Sequence, residues 1–521
     1  MADRDDENVL GRRVICDGEY GTVRYFGEVP PTNGLWYGIE WDADGRGKNN
    51  GEHNGCKYFT CSRPKSGSFI REKKLDFGVD VVTALVDKFT KLHSKENFSE
   101  FERIHHDEHY YDESAIDEIL QHVDRVTLSG DRVSYMSSHG KSLGSIAPNI
   151  VELDLSKTLL SDWLDVIKIV NELPRLYHLN VSGLRLNRSS FDGTVTSSET
   201  CHLRTLVLNY MQLNWNQALA LSCTFRGLQE LHASFNNISN INDCDAGTLC
   251  TSLIKLNLEG NNLHSWNDVF SLDAFLSLEF LIVNGNPLGD FVFPGDPLKS
   301  IDIFVKLQTF GLVSVGISKW RSVNQLNRLK VLQKLFLKSN PLFDHLNQYD
   351  ARQEIISRIA NCQVLNSSDV TKKERKCAER VYIKKYFAEW HAFDRQNNSS
   401  QSSFHDEHPR YLVLLEVHGP PDDVEGSSTK PKTLKSSLIS VTFKCIDDVD
   451  RPLVKRKLPA TMTIAKLKGL LLHIFKISTS SIALSVVFED GHELELDDNL
   501  KTLSFYSIAS GHVIIVKRKM S

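Results

Sequence analysis

The residues best suited to bind another molecule lie near the N-terminus, in the run Gly47-Lys48-Asn49-Asn50-Gly51. Lys48 and Asn49 can present a cation and an amide from a loop that the two glycines allow to bend tightly. A charge-assisted hydrogen bond from such a loop to a peptide carboxylate contributes about 1.5–3 kcal/mol. The loop therefore predicts a binding site for a peptide that carries carboxylates.

Short apolar runs separated by glycines surround this loop and predict a small glycine-rich β-barrel. These runs are Gly21–Gly27, Gly34–Asp42, Lys57–Cys61 and Gly67–Ile70. Loop and runs together resemble the CAP-Gly family over about residues 10–75, with Asn50 where the family signature has Asp. The resemblance implies binding of the acidic C-terminal tail of α-tubulin. Its carboxylates would meet the loop residues Lys48, Asn49, Asn50 and Gly51, and its apolar part would meet Trp36, Phe69 and Phe26.

The surface around the loop is basic, although the chain as a whole is acidic. Eight Lys or Arg residues and two Glu lie between Arg46 and Lys74, whereas the 521-residue chain has a net charge of −5. A basic surface beside aromatic residues attracts an acidic peptide. Charge alone is equally compatible with a solvated barrel face, and the loop signature favours ligand binding.

Composition argues against several classes of protein. The chain is 41% hydrophobic and 24% charged. It has no apolar run near the roughly 20 residues that span a bilayer, and its acidic start does not resemble a signal peptide. Its ten cysteines include no C-x-x-C pair, and no phosphate-binding loop is present. We expect a monomeric, cytoplasmic and cytoskeleton-associated protein that is not an enzyme, needs no cofactor or metal, and binds neither nucleic acid nor membrane.

A repeat with the period of leucine-rich repeats fills the middle of the chain. Its pattern L-x-x-L-x-L recurs every 25–29 residues, starting at Ile150, Leu176, Leu203, Leu228, Leu253, Leu278, Leu307 and Leu332. This predicts an α/β solenoid with one short strand per repeat on the concave face. An asparagine that can satisfy turn backbone groups follows the third leucine in four copies, at Asn236, Asn261, Asn286 and Asn340.

The repeat register also identifies the side chains of the concave face, which change from polar to partly apolar along the solenoid. Exposed apolar groups on such a face indicate a partner site. We therefore hypothesise that Phe280, Ile282 and Phe336 contact a client protein. Packing of these residues against the chain's own flanking domains is the alternative.

The segments around the repeats predict caps and a connector. Leu120–Val133 is expected to begin the solenoid, and helices at Arg352–Gln363 and Lys372–Phe393 to close it. The basic run Lys372–Lys376 indicates a solvated helix more than a nucleic-acid site. Three histidines and two acids at Ile104–Tyr111 lack a regularly spaced partner, which favours a polar connector over a metal site.

The C-terminal part predicts a polar linker and a second small domain. Tyr411–Val417 is expected to be a strand within the linker. Beyond it, strands at 437–446, 453–458, 483–489 and 512–518, with a helix capped by Thr463, resemble the ubiquitin-like α+β fold. The final residues lack the Gly-Gly that conjugation needs, so this domain is expected to be a docking module.

The predicted multidomain order resembles the tubulin-folding cofactor E family. The domains are a CAP-Gly domain (8–78), a connector with N-terminal cap (79–145), capped leucine-rich repeats (146–394), a linker (395–436) and a ubiquitin-like domain (437–521). The resemblance implies a cofactor that binds α-tubulin and acts with other folding cofactors and β-tubulin to assemble and dissociate the heterodimer, with the proteasome as a further partner. The alternatives are a microtubule-binding adaptor and a repeat scaffold that links tubulin to the ubiquitin–proteasome pathway.

Overall fold

The structure, a computed structural model, describes most of the chain. The described residues are 9–96, 113–137, 140–187, 202–241, 251–295, 299–395, 401–421, 438–447, 452–475, 482–487 and 493–518. They belong to two compact units, Met1–Pro421 and Asp422–Ser521. Within these ranges no helix has the length and apolar character to cross a bilayer. The polar segment Ile104–Tyr111 lies outside the described residues.

The first unit begins with an antiparallel sheet that forms the predicted barrel. Its strands, in spatial order, are Arg13–Cys16, Glu19–Glu28, Leu35–Trp41 and Gly67–Ile70. A small hairpin pairs Glu52–His53 with Cys56–Lys57, and a 3-10 turn follows at Glu72–Lys74. Apolar side chains that alternate along the strands fill the core, which includes Val14, Val23, Ile39 and Trp41.

A β-bulge between Val23 and Tyr25 decides where the aromatic residues of the longest strand lie. A bulge adds one residue and so reverses the inward–outward alternation beyond it. Phe26 consequently packs on Tyr37, with ring centroids 4.7 Å apart, against the barrel core. Phe26 does not line the groove that lies beside the loop, so the structure does not bring it together with Trp36 and Phe69 as expected.

The barrel is joined to the solenoid by direct contacts. The Tyr20 hydroxyl donates to the Gly130 carbonyl at 3.0 Å, and Arg132 donates to the Asp76 carboxylate at 2.9 Å. Burial raises the pKa of Asp76, but hydrogen bonds from Arg132 and the Gly78 amide hold it below its ordinary value. Strands Val79–Asp80 and Val133–Tyr135 also pair in parallel. These contacts attach the barrel to the first turns of the solenoid.

The solenoid carries a sheet of eleven described strands, parallel except for its last pair. They are Arg125–Thr127, Glu152–Asp154, His178–Asn180, Thr205–Val207, Glu230–His232, Lys255–Asn257, Phe280–Ile282, Thr309–Gly311, Lys334–Phe336, Val364–Leu365 and Ser368–Asp369. The first of them pairs with Glu152–Asp154, so the segment predicted as an N-terminal cap adds a strand before the first counted repeat.

Helices connect successive strands or cap the start of the solenoid. They are Val81–Glu96, Glu113–His122, Leu143–Ile146, Trp163–Glu172, Trp215–Cys223, Trp266–Ser271 and Trp320–Leu326, with 3-10 turns at Leu272–Ala274 and Pro341–Phe343. Polar residues start several of them, because a side-chain oxygen satisfies a free amide of the first turn. Asp162 and Ser265 accept one such bond each, and Asn214 forms a capping box with Gln217.

The four predicted asparagines, Asn236, Asn261, Asn286 and Asn340, form a buried ladder between repeats. Asn286 shows the pattern. Its Oδ1 accepts from the Leu263 amide at 3.0 Å, and its Nδ2 donates to the Leu258 and Val283 carbonyls at 2.9 Å. Each asparagine thus satisfies backbone groups of its own repeat and of the preceding one, as buried polar groups require. Their predicted role is confirmed.

Replacing Leu281 by alanine is expected to lower the free energy of unfolding of the first unit by about 2–5 kcal/mol. The Leu281 side chain is 0% exposed, and its removal leaves a cavity that the neighbouring repeats cannot fill. Urea unfolding followed by circular dichroism measures the loss. Lys334→Ala is the control, because that side chain lies exposed on a strand of the same sheet. Equal midpoints for the two variants would contradict the prediction.

The solenoid ends in four helices, Gln348–Arg358, Lys372–Arg395, Gln401–Glu407 and Tyr411–His418. The first stops at Arg358, before the predicted end at Gln363, because the chain turns there into the strand Val364–Leu365. The predicted strand at Tyr411–Val417 is wrong. Tyr411 and Leu414, one helical turn apart, are buried against Tyr382 and Ile383 of the long helix.

His408 lies buried in this cap, with its Nδ1 2.7 Å from the Tyr382 hydroxyl. Burial and the nearby Arg358 guanidinium lower the pKa of His408 from 6.5 to about 4. Because the unfolded chain takes up this proton first, folding stability decreases as the pH falls from about 6.5 to about 4. We expect the melting temperature to fall more steeply over this range in the wild type than in His408→Gln. Parallel pH profiles in scanning fluorimetry would contradict this.

The second unit has a five-stranded sheet packed on one helix. In spatial order the strands are Val454–Pro459, Leu438–Cys445, Val513–Arg518, Ile482–Val487 and Glu493–Glu495, and the helix is Ile464–Phe475. The first four strands and the helix match the predicted segments, whereas Glu493–Glu495 was not predicted. Thr463 Oγ1 accepts from the Lys466 amide at 3.5 Å, as expected for the helix cap. The dipeptide Asp490-Gly491, whose sequence is typical of a turn between strands, lies outside the described residues.

Candidate peptide-binding groove

A groove of about 410 Å³ lies on the barrel beside the glycine-bounded loop. It brings together four of the residues predicted from the sequence, which are Trp36, Lys48, Asn49 and Phe69. Other side chains complete its wall, among them Thr32, Arg46, His53, Ile70 and Lys74. The groove therefore combines cationic, amide and aromatic groups in one surface.

Backbone hydrogen bonds fix the position of the loop. The Lys48 and Asn49 amides donate to the Gly67 carbonyl at 2.7 and 3.0 Å, and the Gly67 amide donates to the Asn49 carbonyl at 2.8 Å. The Lys48 side chain is exposed beyond these bonds. Its ammonium is thus held at the edge of the groove, where a carboxylate can approach from solvent.

The Asn49 side chain shapes the loop and faces the groove. Its Oδ1 accepts from the Gly51 amide at 2.9 Å, which leaves the two Nδ2 hydrogens available to a ligand. Gly51 has a φ of +86°, and a Cβ there would lie 2.1 Å from the Phe59 carbonyl oxygen. Gly51 is therefore required for the shape of the loop, and it does not line the groove.

Asn50 points away from the groove and holds the loop from the other side. Its Oδ1 accepts from the Lys65 amide at 2.5 Å, and it is not among the groove residues. A carboxylate could accept the same bond, so asparagine keeps this hydrogen bond and removes the negative charge. Asn50 therefore acts on the loop rather than on a ligand.

Aromatic residues form the apolar part of the groove. The Phe69 ring lies 5.4 Å from Tyr58, 5.5 Å from Phe59 and 6.2 Å from His53, measured between ring centroids. The indole nitrogen of Trp36 donates to Thr32 Oγ1 at 2.7 Å. The guanidinium of Arg71 lies 3.9 Å from the centre of the Trp36 ring, which stabilises its orientation. Both aromatic walls are thus positioned before any ligand binds.

Cations outnumber acids along the groove wall. Arg46, Lys48 and Lys74 line it together with one carboxylate, Asp17. Arg46 donates to Asp17 at 3.0 Å and holds the pKa of that carboxyl below its ordinary value. Burial and the nearby Asp17 raise the pKa of the Cys16 thiol, so Cys16 stays neutral. The resulting positive potential suits an acidic peptide.

Comparison with known proteins identifies the domain that carries this groove and the family of the whole chain. Residues 10–75 match the CAP-Gly domain, and residues 445–519 match a ubiquitin-like domain. The tubulin-specific chaperone E of Xenopus laevis is 36% identical, with 97% of this chain and 98% of that protein covered. The protein of the same name from Danio rerio is 34% identical, with 98% of this chain and 99% of that protein covered. The one from Homo sapiens is 33% identical, with 99% of this chain and 100% of that protein covered. The chain belongs to the tubulin-specific chaperone E family.

This member of the tubulin-specific chaperone E family has the multidomain fold that its sequence predicted. A CAP-Gly barrel is followed by a leucine-rich-repeat solenoid and then by a ubiquitin-like α+β domain. The barrel and solenoid lie in one compact unit, so the groove and the concave face of the repeats belong to the same body.

The three apolar residues predicted for client contact, Phe280, Ile282 and Phe336, lie on two strands of the concave face that are separated by the strand Thr309–Gly311. They are half-buried. The Lys255 ammonium lies 5.2 Å from the centre of the Phe280 ring, and Ile282 extends over Gly311, where a Cβ would come within 2.6 Å of its Cδ1. Client contact by this patch stays a prediction.

The groove residues that were not identified individually from the sequence include Arg46, His53 and Lys74. Arg46 and Lys74 were counted only as part of a basic region, because charge along the chain does not show which side chains share a face. His53 lies in a two-residue strand, whose packing beside Phe69 depends on the fold. The one available signal was its position two residues after the loop.

Proposed function

We propose that this chain is a tubulin-folding cofactor that binds α-tubulin and takes part in assembly and dissociation of the α/β-tubulin heterodimer. The groove carries the proposal. It sets the Lys48 ammonium and the Asn49 amide beside the aromatic residues Trp36 and Phe69, in a chain whose relatives are named tubulin-specific chaperone E. A peptide tail ending in carboxylates and an aromatic residue is complementary to that surface.

In this proposal the tail of α-tubulin binds the groove and its folded body contacts the concave face of the solenoid at Phe280, Ile282 and Phe336. The two surfaces belong to one compact unit, and contacts such as Arg132 with Asp76 join the barrel to the repeats. Two modest contacts on one ligand strengthen each other through effective concentration. No catalytic step is required, because the cofactor acts by binding.

The ubiquitin-like domain supplies a separate docking surface in this proposal. It would contact other tubulin-folding cofactors and bring β-tubulin into a larger complex, with the proteasome as a second partner. The chain itself would act as a monomer in the cytoplasm, in association with the cytoskeleton. The relatives' names support tubulin as the partner, and the identity of the additional partners is our inference.

A tubulin pull-down tests the two-surface arrangement. We expect Phe280→Ser with Phe336→Ser to lower the recovery of tubulin about tenfold, because both removed rings lie on the proposed client face. Removing the last residue of α-tubulin should lower recovery by the wild-type chain as well. Lys330→Ala is a suitable control, because this exposed side chain lies outside the proposed face. Full recovery with the double variant would exclude the concave patch, and insensitivity to the missing tail residue would exclude the groove.

A further inference from the structure

In each of the eight counted repeats, the third residue after the concave strand has a left-handed backbone. The residues there have φ between +54° and +76° and are Lys157, Gly183, Tyr210, Phe235, Gly260, Gly285, Ser314 and Ser339. This region of φ favours glycine, and bulky residues in it often mark a functional constraint. Two neighbouring repeats nevertheless place aromatic side chains there, at Tyr210 and Phe235.

The two rings stack on each other and are open to solvent. Their centroids are 4.7 Å apart and their planes differ by 4°, while Tyr210 is 54% and Phe235 43% exposed. The separation of the rings equals the spacing of adjacent strands, about 4.8 Å. The stack therefore runs along the solenoid, with one ring contributed by each repeat.

The next two repeats have glycine at this position and leave room for the stack to continue. A Cβ built on Gly260 would lie 2.3 Å from Phe235 Cδ1, so the Phe235 ring extends over Gly260. A Cβ on Gly285 would meet only backbone atoms of Gly260, at 3.6 Å. We call these four residues, Tyr210, Phe235, Gly260 and Gly285, the aromatic ledge. Its open end offers space for one planar group against Phe235.

The charges beside the ledge select the kind of planar group. Glu259 precedes Gly260, and no ion pair joins it to any other residue in the described part of the chain. Two cations of these repeats are already engaged: Lys255 is paired with Glu230 at 2.5 Å, and Arg185 donates to the Tyr210 carbonyl at 2.8 Å, in the ledge repeat farthest from Gly285. The faces of aromatic rings are also negative and attract cations. A planar cation fits both features, whereas the ammonium of lysine has no plane to stack.

We propose that the aromatic ledge binds an arginine side chain of the tubulin client, stacked on Phe235 above Gly260 and Gly285 and paired with Glu259. This rests on the proposed function, because it takes tubulin as the client. It adds a third contact to the groove and the concave patch, one that selects a guanidinium on the folded body of the client and not its acidic tail.

Tubulin binding by the full chain, measured by biolayer interferometry, tests the ledge with three variants. Phe235→Asn removes the ring and Glu259→Gln removes the charge, while Gly285→Asn fills the open space with a residue that tolerates a left-handed backbone. Each should weaken binding about tenfold. Ser339→Asn makes a matched change at the same position of a distant repeat and should bind as the wild type does.

Blocking the arginines of tubulin with a dicarbonyl reagent distinguishes the kind of side chain that is bound. The modified tubulin should bind the wild type about tenfold more weakly, and Phe235→Asn should not distinguish it from untreated tubulin. Wild-type affinity in all three variants would overturn the ledge and leave the groove unaffected. Weakened variants with no response to arginine modification would overturn the guanidinium. If the wild-type chain itself does not bind tubulin, the proposed function is overturned, and the ledge proposal with it.

Discussion

Replacing Lys48 by alanine is expected to weaken binding of an acidic peptide ending in Glu-Glu-Tyr by about tenfold or more. The Lys48 ammonium is the exposed cation of a loop that three backbone hydrogen bonds hold against Gly67. Its removal therefore takes one charge from the groove while the loop stays in place. Asn49→Ala should weaken binding as much, because it also removes the bond from the Gly51 amide. Fluorescence anisotropy of the labelled peptide measures both losses.

The comparison with Lys57→Ala makes this test specific. Lys57 is an exposed cation of the same basic region and does not line the groove. Its loss should change affinity only through long-range attraction, which salt screens over about 10 Å at 0.1 M ionic strength. The wild type should also bind more weakly as salt rises. Equal effects of Lys48→Ala and Lys57→Ala would show that the peptide responds to overall charge and does not contact the loop.

The parts of the fold that were predicted correctly follow from periodic burial. Residues such as Leu256 and Leu281 recur once per repeat, at an interval set by the length of one strand and of the segment that leads to the next strand. Both are buried in the structure. Asn261 and Asn286 recur with them because each turn leaves the same backbone groups unsatisfied. A repeated physical requirement leaves a repeated sequence pattern, and such patterns can be recognised without coordinates.

One wrong prediction concerns a short apolar segment, whose sequence is compatible with either a strand or a helix. Tyr411–Val417 has the apolar character of a strand, yet only Tyr411 and Leu414 are buried in that helix. The surface that selects the helix is formed by residues far away in sequence, such as Tyr382. Phe26 was misplaced for a similar reason, because a bulge after Val23 that no local pattern marks reverses the alternation. In the groove, Lys48 and Asn49 had a recognisable motif, whereas His53 is brought there only by folding.

The C-terminal cap also contains a group on which the attachment of its last helices depends. Arg358 is 2% exposed and donates to Glu354 at 2.8 Å, to Asn324 at 2.9 Å and to the Glu407 carbonyl at 2.7 Å. Its guanidinium also lies 4.7 Å from the centre of the Trp320 ring. One side chain thus joins the last repeat, the first cap helix and the end of the helix Gln401–Glu407.

We expect Arg358→Ala to lower the free energy of unfolding by about 3–5 kcal/mol, because it leaves the Glu354 carboxylate buried with fewer partners. Glu354 keeps its bonds from Lys385 and Tyr386, so the long helix should remain helical while the segment 401–418 loses its attachment. Chemical denaturation measures the first effect, and faster tryptic cleavage at Arg410 measures the second. Lys372→Ala, an exposed change in the same cap, should alter neither. Unchanged cleavage at Arg410 in a destabilised Arg358→Ala protein would show that other contacts, such as the Arg410–Glu379 ion pair, hold these helices without Arg358.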